Sequence, residues 1–299
     1  MSEKSINGAI SASLRSEKIA RWFDLFVILI LFNVAQVIGG LVCGFVAPLI
    51  GMELPSEIMR ESVDSEVVEY VGFLQSRMVA VSYFIAMVVG LVFVGLYVRA
   101  RGIKTAMSLS YKSPGWASPF RLLCGYLLMW CVSIALEPIE TLLPGDQSAL
   151  GGGGWLIVSA VLLAPLFEEI IFRGYIAGTL KSAYGGLVAW IFSSLIFGLV
   201  HIIPSVILTA TFSGMVLCFY YLRYRSLMMV IVLHAMNNLT ACFLQTVNVS
   251  NLTMRDVLGD GVLYWSVYVG CVIICLAAFS RMAVVVSRIK NDNYEQKKQ

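Results

Sequence analysis

Residues 155–180 read WLIVSAVLLAPLFEEIIFRGYIAGTL. The run is long enough to cross about 30 Å of hydrocarbon as a helix rising about 1.5 Å per residue. It nevertheless carries Glu168, Glu169 and Arg173. The surrounding chain decides how to read it. Of 299 residues, 59% are hydrophobic and 13% charged, and the mean hydropathy is +0.84. Soluble domains are roughly 25% charged and 45–50% apolar. A chain this long with half the usual charge cannot cover itself with a polar surface. The apolar content argues against a disordered chain, and a net charge of +3 offers no basic footprint for nucleic acid. Most of this chain is solvated by lipid.

Long stretches poor in charge place helical spans at about 25–50, 78–98, 122–143, 155–180, 184–203, 205–222, 227–247 and 262–280. The expected fold class is therefore all-α, a polytopic membrane protein with about eight transmembrane helices. Basic residues cluster at alternate junctions. Lys4, Arg15, Lys18 and Arg21 precede the first span; Arg99, Arg101, Lys104, Lys112 and Arg121 follow the second. Lys181, Arg223, Arg225 and the C-terminal Arg281, Arg288, Lys290, Lys297 and Lys298 fall on the same side, against Arg60, Arg77 and Arg255 on the other. The 53–69 loop is acidic, with Glu53, Glu57, Glu61, Asp64, Glu66 and Glu69. Both termini are then expected in the cytoplasm.

This gives a cytoplasmic N-terminal tail (1–24), N-terminal membrane helices (25–150), a membrane core carrying the chemistry (151–250) and a last helix with a basic cytoplasmic tail (251–299). The first twenty residues are polar and the following apolar run exceeds a signal-peptide core, so it reads as a retained span. All seven cysteines lie in expected spans, which fits small buried hydrophobes rather than disulfides. The tripeptides at Asn248 and Asn251 match the glycosylation pattern by chance, and Gly151–Gly154 reads as a hinge or linker.

The formal charges inside these spans are Glu137 and Glu140 near the end of the third, and Glu168, Glu169 and Arg173 in the fourth. A charge in lipid costs a few kcal/mol at least, so its default reading is functional. Glu169 and Arg173 stand four residues apart and can pair on one helix face. Glu168 points about 100° away and has no local cation, which suits general acid–base work; a structural ion-pair cluster is the bland alternative. Both histidines are intramembrane: His201 ends Phe197-Gly-Leu-Val-His201, and His234 begins His234-Ala-Met-Asn-Asn238. His234 and Asn238 share a face, where an imidazole and an amide could polarise an oxyanion or bracket a metal. No G-x-S-x-G, H-E-x-x-H, phosphate-binding loop or dinucleotide fingerprint occurs. Carboxylate, two imidazoles and an amide fit water activation, with or without metal, or a proton relay.

Glu-Glu-x-x-x-Arg, Phe-x-x-x-His and His-x-x-x-Asn on successive membrane helices resemble the CAAX-prenyl-protease and bacteriocin-processing (CPBP, or Abi) family. The matching stretch runs from about 155 to 247. The resemblance implies an intramembrane endopeptidase in which Glu168 and His201 activate water, while His234 and Asn238 stabilise the oxyanion. Glu169, Arg173 and Phe197 would support that site. It also admits a divalent metal, zinc, on Glu168, His201 and His234, although a metal-free glutamate mechanism is equally argued for the family. The implied partners are membrane lipid and a membrane-associated protein or peptide substrate, with no nucleic acid, and the implied location is the plasma membrane. A non-catalytic scaffold or bacteriocin-immunity protein of the same fold is the alternative. A proton-coupled transporter is a third, against which stands the lack of internal repeats.

Counted along straight helices, Glu168 lies about 20 Å, His234 about 10 Å and His201 about 25 Å from the cytoplasmic end of their spans. The fifth helix is therefore expected to start deeper or to run obliquely.

Overall fold

The computed structural model describes residues 3–49, 65–103, 119–144, 154–247 and 252–290, with side chains omitted for 3–20 and 65–69. Nearly all of these residues are helical. The helices are α1 (Glu3–Leu49), α2 (Ser65–Ala100), α3 (Pro119–Glu140), α4 (Gly154–Tyr184), α5 (Gly186–Leu199), α6 (Pro204–Tyr224), α7 (Leu227–Thr246), the short α8 (Met254–Leu258) and α9 (Val262–Ser287). Seven are long and apolar enough to cross a membrane, and α5 is a shorter apolar helix. The protein is thus an integral, multi-pass, all-helical membrane protein, with a helix count close to the expected eight. The acidic segment before residue 65, Gly151–Gly153, Asn248 and Asn251 lie outside the described residues.

Two helices are longer than the charge-free runs suggest. α1 begins at Glu3, so the polar tail continues the first span as helix. α2 begins at Ser65 and takes Arg77, expected in a loop, into its body. α1 and α2 run antiparallel. The Cys43 thiol meets Met78 O, the Gln36 amide meets Met87 Sδ, and Asp24 meets Tyr97 in succession along the pair. Asp24, assigned to the tail by sequence, is fully buried. Its carboxylate accepts from Tyr97 Oη at 2.7 Å, Arg101 Nε at 2.8 Å and Arg21 Nη1 at 3.1 Å. A buried carboxylate needs such partners, and here they tie α1 to the end of α2.

Large apolar side chains on the outside follow from the lipid solvent. On α1, Phe26, Ile30, Val37, Leu41 and Phe45 are exposed at helical spacing. The buried side chains instead gather where α4 packs against α2, α5, α6 and α7. Residues 171–180 of α4 are buried without interruption, so this half of the helix is surrounded by protein on every side.

α4 is not uniform. Val158–Leu163 and Ile170–Ala177 are wound as π-helix, on either side of an α-helical Ala164–Glu169 that opens on Pro165. Such wide turns free backbone carbonyls and recur at functional sites. Ser193 Oγ donates to Phe172 O at 2.9 Å, within the second wide segment. α4 passes to α5 through Gly185 alone, whose φ of 90° is a conformation that only glycine adopts without strain.

α5 starts at Gly186, close to the expected boundary, but stops at Leu199 rather than 203. His201 is therefore in the turn beyond the helix. In that turn Ile203 N donates to His201 O at 2.6 Å, with Ile202 at φ 63° between them. A β-branched residue at positive φ in a three-residue turn is strained. Pro204, whose missing N–H suits a first helical turn, then starts α6.

Candidate active site

Glu169 and Arg173 pair as their spacing predicts. Arg173 Nη1 lies 2.9 Å from Glu169 Oε1, and both side chains are fully buried. The same oxygen also accepts from His234 Nδ1 at 2.9 Å, a partner on α7 that helical spacing could not supply. Arg173 Nη2 donates to Gly214 O of α6 at 3.1 Å. One carboxylate oxygen and one guanidinium therefore join α4, α6 and α7. Among the described residues, Glu169 Oε2 and Arg173 Nε are buried without a hydrogen-bond partner, an exception of the kind that asks for an explanation.

Phe197 of α5 is the apolar hub. Arg173 stacks on it with Cζ 4.3 Å from the ring centroid, a cation–π contact. His201 meets it edge-on at 4.9 Å and His234 at 5.7 Å. Both histidines of the protein thus lie against one ring. Gly214 is what lets α6 approach: a Cβ there would stand 2.9 Å from Phe197 Cδ1 and 3.4 Å from Arg173 Nη2. Gly214 carries no motif, and only its place on a helix that sequence treats as a plain span hides its role.

His201 Nδ1 bonds to Phe197 O at 2.8 Å. A carbonyl only accepts, so Nδ1 donates in this bond, and in the neutral ring Nε2 is then the acceptor. His234 is likewise oriented through Nδ1, by Glu169, which leaves its Nε2 for another partner. Asn238 lies one turn beyond His234 on α7, and its Nδ2 donates to Ala160 O at 2.8 Å, in the first wide segment of α4. One amide proton is used there and the second is free to donate.

Glu168 faces away from Glu169, as the helix geometry requires, and is half-buried. Its partner is not a cation. Tyr83 Oη of α2 donates to Glu168 Oε1 at 2.7 Å. Sequence reasoning missed Tyr83, whose only signal was a hydroxyl in an apolar helix. No hydrogen bond joins Glu168 directly to His201 among the described residues.

The implied zinc set does not assemble in this conformation. Among the described residues, no three His, Cys, Asp or Glu side chains come together in a group able to hold a metal ion. Glu137 and Glu140, the other carboxylates that the sequence places in spans, bond to backbone and hydroxyl groups of other helices. Glu137 accepts from Met254 N at 2.8 Å and from Arg255 N at 3.3 Å, while Glu140 accepts from the backbone and hydroxyl of Thr209.

Compared with known families, residues 151–240 match the one described as type II CAAX prenyl endopeptidase, Rce1-like. A curated relative, "Putative membrane peptidase YdiL" of Bacillus subtilis (strain 168), is 33% identical over 96 residues. That stretch is 32% of this chain and 39% of the relative's length. No solved structure matches. The matched segment covers the glutamate, phenylalanine–histidine and histidine–asparagine motifs together. Residues 151–240 of this membrane protein are thus similar to the CAAX prenyl endopeptidase family that its motifs resemble.

Proposed function

We propose that the protein is an intramembrane endopeptidase that hydrolyses a peptide bond of a membrane-associated protein or peptide. The observation that carries this reading is the convergence on Phe197 of Arg173 from α4, His201 from the turn after α5 and His234 from α7, with a second, less buried carboxylate on Glu168. In this reading Glu168 takes a proton from a water molecule whose oxygen attacks the peptide carbonyl carbon. The Nε2 lone pair of His201 accepts the water's other hydrogen bond and fixes its direction. Charge then develops on the carbonyl oxygen, which accepts from the free amide proton of Asn238 and from a proton carried on His234 Nε2, the ring's Nδ1–H being balanced by the Glu169 carboxylate. Glu168 returns its proton to the amine nitrogen as the C–N bond breaks, which restores the carboxylate.

Glu169 and Arg173 do not touch the reacting atoms. They hold the His234 ring in one orientation with its Nδ1–H on Glu169, and the carboxylate offsets positive charge on the ring when Nε2 also carries a proton, as a carboxylate behind an imidazole does in other hydrolytic sites. The arrangement asks nothing of a metal, and no step here passes through one.

The test compares membranes from cells carrying wild type, Glu168→Gln and His201→Ala at equal protein level. Membrane polypeptides that are shortened in wild type should accumulate uncut in both variants. Indistinguishable membranes, with the variants folded, would end the proteolytic reading.

A further inference from the structure

We infer that Tyr83 is a positioning residue for Glu168, fixing which carboxylate oxygen is presented to water. The inference rests on the hydrolytic reading above. Tyr83 lies on α2, outside the stretch that carries the motifs and outside the matched segment. Its hydroxyl reaches across 85 positions of sequence to Glu168 Oε1 at 2.7 Å, within the range of a short, charge-assisted bond. The neighbouring residues make a second contact between the same helices: the rings of Phe84 and Phe167 meet edge-on with centroids 6.1 Å apart. Two consecutive residues of α2 therefore grip two consecutive residues of α4, which fixes the register between the helices at the carboxylate.

A glutamate side chain has three rotatable bonds and would sample several rotamers if only its helix held it. Tying Oε1 to a ring that is itself packed leaves Oε2 as the oxygen with no hydrogen-bond partner among the described residues. That is the arrangement a general base needs. The phenol has a second neighbourhood. It forms part of the wall of a groove of about 380 Å³ between α1 and α2, lined also by Gln36, Gly40, Met78 and Ser82. Tyr83 thus separates this groove from the carboxylate, and its hydroxyl is spent on Glu168 rather than on the groove.

Tyr83→Phe removes the hydroxyl and keeps the ring. With a fluorogenic peptide copied from the cleaved region of a polypeptide that accumulates uncut in Glu168→Gln membranes, and purified protein in lipid nanodiscs, kcat should fall on the order of ten-fold while KM changes little. Infrared difference spectra give a readout that needs no turnover. The carboxylate band that vanishes in Glu168→Gln should move in Tyr83→Phe. Phe84→Leu loosens the same helix contact without touching the carboxylate, so it should lower the melting temperature but leave that band in place. An unmoved band in Tyr83→Phe, or an unchanged kcat, overturns the inference. Full turnover by Glu168→Gln overturns the hydrolytic role of Glu168 and the inference with it, and a band that still moves would then mark a purely structural bond.

Discussion

Glu169 Oε1 and His234 Nδ1 lie 2.9 Å apart although 65 residues separate them in sequence. The contact crosses from α4 to α7, and the same oxygen holds Arg173. Removing any one member leaves a buried charge or a buried donor unanswered, and that sets the first expectation. Arg173→Met alone strands the Glu169 carboxylate and should cost about 3–5 kcal/mol, as other broken buried pairs do. Glu169→Gln with Arg173→Met removes both charges and should be less damaging than the sum of the single changes, because the two share one interaction. Thermal unfolding of the four proteins in detergent checks this, and strict additivity would refute the coupling.

Gly214 should not tolerate even one methyl group. The new Cβ would lie 2.9 Å from Phe197 Cδ1, and overpacking of this kind typically costs about 1–3 kcal/mol. Because the displaced ring is the one that both imidazoles rest on, Gly214→Ala should lose more turnover than its loss of stability explains. Measuring melting temperature and kcat on the same preparation separates the two effects.

Ile202 makes an opposite kind of case. Its side chain is 80% exposed while its backbone holds φ 63°. Strain of this type costs on the order of 1–3 kcal/mol, and glycine would relieve it at a smaller entropic cost of roughly 0.5–1 kcal/mol. Ile202→Gly should therefore leave the melting temperature equal or higher, yet lower turnover by letting the His201 turn relax. A variant both destabilised and fully active would contradict the account.

Glu168, His201 and His234 do not form one donor set, so turnover should survive a chelator at concentrations that strip zinc from a tight site. Loss of activity restored by zinc alone, together with stoichiometric zinc in the purified protein, would place these side chains in a metal centre instead.

The spans were legible because lipid makes charge conspicuous. A run without Asp, Glu, Lys or Arg can be read directly, and the Glu169–Arg173 pair follows from a four-residue spacing. What could not be read was where helices stop inside apolar sequence. Val200-His201-Ile202-Ile203 is as apolar as the helix before it, so nothing local marks the end of α5 at Leu199. Asp24 was hidden for the converse reason: a charge at the edge of a polar tail looks solvated, and its partners Tyr97 and Arg101 lie on another helix. The links to Tyr83 and from Glu169 to His234 are likewise contacts between helices, and no periodicity along one helix encodes them.

The brevity of α5 has a further consequence. Its 14 residues span about 21 Å, well short of a hydrocarbon layer of about 30 Å. A helix of that length is matched either by a local thinning of the bilayer or by a polar recess that dips toward its end. Both bring bulk water nearer to the turn that carries His201. The proposed hydrolysis would consume one water per bond cut, and a helix about two turns too short would give that second substrate a way in that a full-length span would seal with lipid.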